Sequence, residues 1–301
     1  MSLDHDSLKR QTMDISAAEH WEAAATGRNE EAYGNPHSMN AVRLRMTLDI
    51  LKQYPAGTML DAGCGAGATT KAFVDAGWDV EAVDNAINMV AETNAHLEST
   101  GYAGCRARQA SITDLGLFPD NHFDAVTCLG VLYYIEQDEL AYREFRRILK
   151  PGGILICSVQ NEFFDLFTFN RYTHRFFTRH FFPLIDGGTA ERTEELHAAL
   201  RSLMTHPDAP AKHDSGSARD AVFTRQENPL AFPAKLAEFG FATISGPYYH
   251  GIHLLPPLIE KILPGLEQES HQKQYRLAKD WRSMFTAAHF LLEARKNDDA
   301  S

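Results

Sequence analysis

The chain has 301 residues, 44% hydrophobic and 23% charged, more than one small domain needs, and this composition excludes disorder as the main state. Lys+Arg 29 against Asp+Glu 40 leaves a net charge of −11, which repels phosphate backbones over most of the surface and argues against a nucleic-acid partner. No apolar run is long enough to span a membrane, MSLDHDSLKR lacks the apolar stretch of a signal peptide, and Cys64, Cys105, Cys128 and Cys157 show no zinc-site spacing, so a soluble, cytoplasmic chain with free thiols and no metal is expected.

Residues 1–52 read as an N-terminal helical cap, with apolar positions recurring from Val42 through Met46 and Leu48 to Leu51 before Pro55-Ala56-Gly57 breaks the pattern. Residues 53–161 change character. Short apolar runs alternate with helix-length segments: TMLDAG, the helical ATTKAFVDAG, WDVEAVD, and a helix from Ile87 to about Thr100. A strand near Cys105 to Gln109, the strand FDAVTCLG, a helix from Asp138 to Leu149, the Lys150-Pro151-Gly152-Gly153 turn and the strand ILICSVQ continue the rhythm. Such alternation predicts a parallel sheet with crossover helices, an α/β doubly wound core. Residues 162–228 interrupt it with the aromatic segment FFDLFTFNRYTHRFFTRHFFP, a helix around Glu191 to Met204 and the polar stretch HPDAPAKHDSGSARD, together an inserted cap or lid. Residues 229–301 complete the core with a helix near Phe232 to Phe239, the strand FATISGPYYH, an insertion at about 250–286 and the last strand AAHFLLEA.

The richest chemistry lies in Leu60-Asp61-Ala62-Gly63-Cys64-Gly65-Ala66-Gly67, where a buried strand ending in an acid runs into a GxGxG loop ahead of a helix. Bare backbone there lets a ligand approach the chain closely. Nicotinamide and flavin dinucleotides favour GxGxxG, with a pyrophosphate on the helix N-terminus and no carboxylate beside it. Asp61 suits instead a ligand with an ammonium and a sulfonium and no phosphate, and S-adenosylmethionine is such a ligand. Asp84 closes the next strand, where a carboxylate can accept ribose hydroxyls.

With Asp61, the glycines, Asp84 and the Leu149-Lys150-Pro151-Gly152-Gly153 turn, the pattern resembles the class I S-adenosylmethionine-dependent methyltransferases, in particular the small-molecule branch that includes the quinone-biosynthesis type. The resemblance covers roughly Leu51 to Val159, then more weakly Asn228 to Ser245 and His289 to Lys296. It implies a mostly parallel seven-stranded Rossmann-like sheet whose last strand is antiparallel, S-adenosyl-L-methionine as cofactor, and a cofactor site of Asp61, Gly63, Cys64, Gly65, Gly67, Asp84, Asn85, Ser111, Ile112 and Leu129. The family often has Asp where this chain has Ser111, which leaves the adenine amino group to Asp114 or to the Ile112 backbone. Arg43 is read as a solvated helix arginine, with reach to the cofactor carboxylate as the alternative.

Ligands of open α/β sheets sit beyond the carboxyl ends of the strands, so the segments there are candidates for the acceptor pocket. Tyr133 and Tyr134 follow the fourth strand, Gln160 and Asn161 the fifth, and His250 and His253 the sixth. His250 or His253 is the expected base, and Tyr133, Tyr134, Asn161 and His174 the expected acceptor contacts. The arginines between Phe163 and Phe182 suit an anionic substrate, although cap packing is the simpler reading of that segment. The expected activity is methyl transfer to a small molecule, on oxygen ahead of nitrogen or carbon, because the fourth strand lacks the NPPY-type and Pro-Cys motifs of enzymes that methylate macromolecules. A cofactor-binding regulatory protein without turnover and a nicotinamide-dependent oxidoreductase are the alternatives; the oligomeric state, a homodimer included, is left open.

Overall fold

A computed structural model of the chain describes residues 33–102, 107–184, 190–204, 224–262 and 265–298. Most of the expected cap, Cys105 with the start of its strand, and the polar stretch 206–220 lie outside them.

Alternation of strand and helix appears where the apolar runs predict it. Strand β1 (Thr58–Ala62), helix α2 (Ala68–Asp75), β2 (Asp79–Asp84), α3 (Ile87–Ser99), β3 (Ala107–Gln109), β4 (Phe123–Leu129), α4 (Asp138–Ile148) and β5 (Leu149–Asn161) follow helix α1 (Met39–Leu51). The lid contributes α5 (Phe164–Thr168), α6 (Arg171–His180) and α7 (Ala190–Met204), then the two-residue β6 (Gln226–Glu227). Helix α8 (Phe232–Glu238), β7 (Phe241–Ile252), α9 (Pro257–Ile262), α10 (Leu266–Leu277), α11 (Ser283–Thr286) and β8 (Ala287–Lys296) complete the chain.

The sheet order is β3-β2-β1-β4-β5-β8-β7, with β6 attached to β5 as an eighth strand beyond the seven expected. Strands β1 to β5 pair in parallel, whereas β8 runs antiparallel to both β5 and β7. That reversal brings the start of β8 and the end of β7 to the same edge as the carboxyl ends of the parallel strands. Residues of a strand alternate between faces, and β5 shows how both are used. Leu155, Cys157 and Val159 join Phe145, Phe232 and Phe290 on one face, and Ile154 and Ile156 join Ile50, Leu51 and Phe73 on the other. Helix α1 is thereby part of the core rather than a loose cap. Among the described residues no helix is long and apolar enough to cross a membrane.

The lid is stitched to this core at its return. Residues Gln226 and Glu227 pair in parallel with Gln160 and Asn161 at the end of β5. Beside them Asp138, buried at the start of α4, binds Arg225 and receives Lys235 at 2.5 Å, and Lys235 also reaches Glu227 at 2.6 Å.

Phe290 is fully buried, with its ring edge-on to Phe232 at 5.7 Å and near Tyr249 at 6.4 Å. Phe290→Ala is predicted to cost about 3–5 kcal/mol, through lost transfer energy and the cavity left behind. A urea titration checks this; a midpoint within error of wild type would contradict the packing described.

Candidate active site

A cavity of about 890 Å³ opens at the carboxyl edge of the sheet. Its cofactor-like end is built from the β1–α2 loop (Gly63, Cys64, Gly65), Asp84 and Asn85 after β2, Ser111 and Ile112 after β3, and Leu129 at the end of β4. The loop is held rigidly. Gly63 and Cys64 donate their N–H groups to the Val83 carbonyl at 2.8 and 3.0 Å, and Gly65 donates to the Asp84 carboxylate at 2.9 Å. The other Asp84 oxygen accepts from Ala86 N–H at 3.0 Å, and the carboxylate lines the cavity. Gly63 has φ +83°, and a Cβ there would strike Val131 at 2.2 Å. A Cβ at Gly65 would meet only open space, so the missing side chain leaves bare backbone facing the cavity.

Asp61 does not line this cavity. Its carboxylate is buried under the loop and accepts hydrogen bonds from Thr69 at 2.8 Å, Thr70 at 2.7 Å and Thr127 at 3.2 Å. Burial pushes its carboxyl pKa up, against the pull of those three hydroxyls. The charge expected to face a ligand's ammonium therefore fastens strand β1 to helix α2 and strand β4. Gly67 likewise lies off the cavity; it precedes α2 with φ +90°, and a Cβ there would press on the Thr93 backbone at 3.0 Å. Cys64 lines the cavity as an inert thiol, because burial first and then Asp84 and Asp61 raise its pKa well above the usual value.

The expected solvated helix arginine is buried. Arg43, on α1, is 4% exposed and lines the cavity, and neither Nε nor Nη1 has a hydrogen-bond partner among the described residues. An unpaired buried guanidinium is costly, so this arrangement fits an anion arriving from the cavity.

The rest of the cavity lining includes Tyr133, Tyr134, Gln160, Phe164 and Tyr172. Arg171 and Arg175 each stand 5.1 Å from the Tyr172 ring centre, and Arg175 donates to Asp165 at 2.9 Å and to Gln226 at 2.6 Å. Other expected contacts are elsewhere. Asn161 is buried at a chain junction, donating to Met284 and Ala287 carbonyls at 2.8 Å, and His174 pairs with His197 at 3.0 Å inside the lid.

Neither expected base reaches the cavity. His253 is engaged with Glu260 at 2.8 Å and stacked on Phe164 at 5.3 Å. His250 is fully buried behind His289, ring centres 5.5 Å apart, in register across β7 and β8. It is His289 that lines the cavity, with Tyr133 5.5 Å away. Its sequence signal was a polar residue inside the apolar strand AAHFLLEA. Burial, then the Arg43 charge, lower its pKa from 6.5 to about 3, and burial, His289 and Arg43 depress His250 well below the usual value.

Comparison with known proteins fits this geometry. Residues 60–157 match a family model described as a methyltransferase domain. A ubiquinone biosynthesis O-methyltransferase of Xanthomonas campestris pv. campestris (strain B100) is 34% identical over 126 residues, 42% of this chain and 52% of that protein. The protein of the same name from Xanthomonas axonopodis pv. citri (strain 306) is 35% identical over 127 residues, again 42% and 52%. The chain thus spans about half the length of the curated relatives it matches. In fold it is similar to magnesium protoporphyrin IX methyltransferase from Synechocystis PCC 6803 with bound SAH, at TM-score 0.54 and 14% identity over 94% of this chain and all of that one (100%). It is also similar to Burkholderia thailandensis 1,6-didemethyltoxoflavin-N1-methyltransferase with bound 1,6-didemethyltoxoflavin and S-adenosylhomocysteine, at 0.52 and 17% over 99% and 92%.

The histidine pair sets an acid limit on stability. In the unfolded chain the imidazoles take up protons near pH 6.5, whereas folded His289 refuses one down to about pH 3. Stability is therefore fully present above pH 6.5 and is lost as pH falls through that window. Urea titrations from pH 7 to pH 4 are predicted to show a smaller loss for the His250→Asn/His289→Asn double variant than for wild type. Parallel profiles would contradict the assignment.

Proposed function

We propose that this chain, whose residues 60–157 match a family described as a methyltransferase domain, moves the methyl group of S-adenosylmethionine to an oxygen of a small acceptor held in the cavity. The observation that carries the reading is Arg43, a buried guanidinium with unpartnered N–H groups in the wall of a cavity whose other wall is bare glycine backbone. Arg43 would hold the cofactor's carboxylate, Gly63, Cys64 and Gly65 its methionine portion, Asp84 and Asn85 its ribose, Ser111 and Ile112 its adenine, and Leu129 would close over the ring. When bound, the group supplies an electrophilic methyl carbon on a sulfonium. This chain's residues align the acceptor with it and keep water out.

Tyr133, Tyr134, Phe164 and Tyr172 support a flat or aromatic acceptor, and Arg171 supports one that carries an anionic group. Oxygen is favoured as the accepting atom by the two relatives named O-methyltransferases, each of which matches 42% of this chain.

Isothermal calorimetry with S-adenosylhomocysteine and with 5′-methylthioadenosine tests the reading, since the second lacks the carboxylate. Arg43→Met is predicted to weaken S-adenosylhomocysteine binding about 10- to 100-fold, the size of a lost charge-assisted hydrogen bond, while leaving methylthioadenosine nearly unaffected. No heat from either compound with the wild-type protein would remove the proposal. Binding of both without methyl transfer to any of a broad set of alcohols and phenols would favour a regulatory role.

A further inference from the structure

We propose that His289 takes the proton of the acceptor hydroxyl, and that it becomes fit to do so only when the cofactor's carboxylate pairs with Arg43. The proposal rests on the cofactor reading above and adds to it a base and an order of events.

The geometry comes first. Among the described residues His289 is the one histidine lining the cavity, on the start of β8 beside Gln160 of β5, with Tyr133 on the neighbouring turn. Among the described residues its Nδ1 has no hydrogen-bond partner, and neither ring nitrogen of His250, stacked behind it, has one. Buried imidazole nitrogens usually find partners, because leaving one unsatisfied costs about 1–3 kcal/mol. Nδ1 is thus buried and held by packing, and Nε2, which is not among the buried unpartnered atoms, is the ring nitrogen left to meet an acceptor in the cavity.

Charge supplies the coupling. The groups facing His289 are Arg43 from α1, His250 from β7 and Tyr133 from the turn after β4, and the one permanent charge among them is the Arg43 guanidinium. Burial and that guanidinium together hold the imidazole neutral down to about pH 3, which also makes it a feeble base. A carboxylate on Arg43 cancels the second cause in a low-dielectric setting where it is poorly screened. The imidazole then regains basicity while remaining uncharged at neutral pH. The same pairing that seats the cofactor thus prepares the base, so an acceptor that enters before the cofactor meets a weaker base.

The step balances. As the acceptor oxygen bonds to the methyl carbon, the carbon–sulfur bond breaks with its electron pair left on sulfur, and the hydroxyl proton passes to His289 and from there to solvent.

The decisive measurement is the protonation of His289 by 15N imidazole chemical shifts in wild-type protein, alone, with S-adenosylhomocysteine, and with 5′-methylthioadenosine. The shift between states is expected at higher pH with S-adenosylhomocysteine than in the free protein, and unmoved by methylthioadenosine. In Arg43→Met the free protein should already titrate at the higher pH. Failure of S-adenosylhomocysteine to bind wild type would overturn the cofactor reading and this proposal with it. Binding that leaves the imidazole titration where it was would overturn the proposal alone. With a mixture of phenols as acceptor probe, His289→Gln should lower S-adenosylhomocysteine release about 10²- to 10⁴-fold, the usual contribution of a general base, with S-adenosylmethionine affinity within about twofold of wild type. Equal release from the two proteins would also overturn it.

Discussion

Everything at the glycine-loop end of the cavity depends on one buried carboxylate. Asp61 sits beneath the glycine loop and accepts hydroxyls from Thr69 and Thr70 at the start of α2 and from Thr127 on β4. A carboxylate hidden from water is tolerable only with such partners, and here the carboxylate and its partners belong to three elements, β1, α2 and β4, that must keep fixed positions for the loop to keep its shape. The loop is then pinned from above by Val83 and Asp84, whose acceptors hold Gly63, Cys64 and Gly65. A ligand meets backbone that has nowhere to move. Preorganisation of this kind lowers the cost of binding, since little freedom remains to be lost when the site fills.

At the other end the constraint is of the opposite kind. Arg43, His250 and His289 are buried with hydrogen-bonding groups unsatisfied, an arrangement that works against the stability of the free protein. Sheet and helix packing around Phe145, Phe232 and Phe290 must over-determine the fold for these groups to stay where they are. Strain retained next to a cavity is a common feature of sites that act on what enters them. Of these groups Arg43 is the cation in the cavity wall, where an incoming anion fits it.

The fold was largely legible in the chain, because its signals are local: apolar runs of strand length, helical spacing between them and a glycine loop behind a strand. Strand ends followed, and so did Gly63, Gly65, Asp84, Ser111 and Tyr133 as cavity residues. What escaped was orientation. A strand buried on both faces carries no polar alternation to say which way Asp61 points, and its threonine partners lie eight, nine and sixty-six positions away. His250 and His253 were reasonable candidates from their place after a strand, but His289 stands in front of His250 only because β8 runs antiparallel beside β7. Arg43 looked solvated for want of any knowledge that α1 packs against the sheet. Pairings across such separations are set by tertiary packing and leave no trace in the spacing of neighbours.

The return of the lid has a consequence of another sort. Chain leaves the sheet at Asn161 and comes back at Gln226, hydrogen-bonded to the strand it left, with Arg225 and Lys235 clasping Asp138 alongside. Departure and re-entry points are thus neighbours, and closing a longer or shorter excursion between them changes the loop entropy only slowly with length. A chain of different length can therefore be joined to the same sheet between Asn161 and Gln226 with little added closure cost.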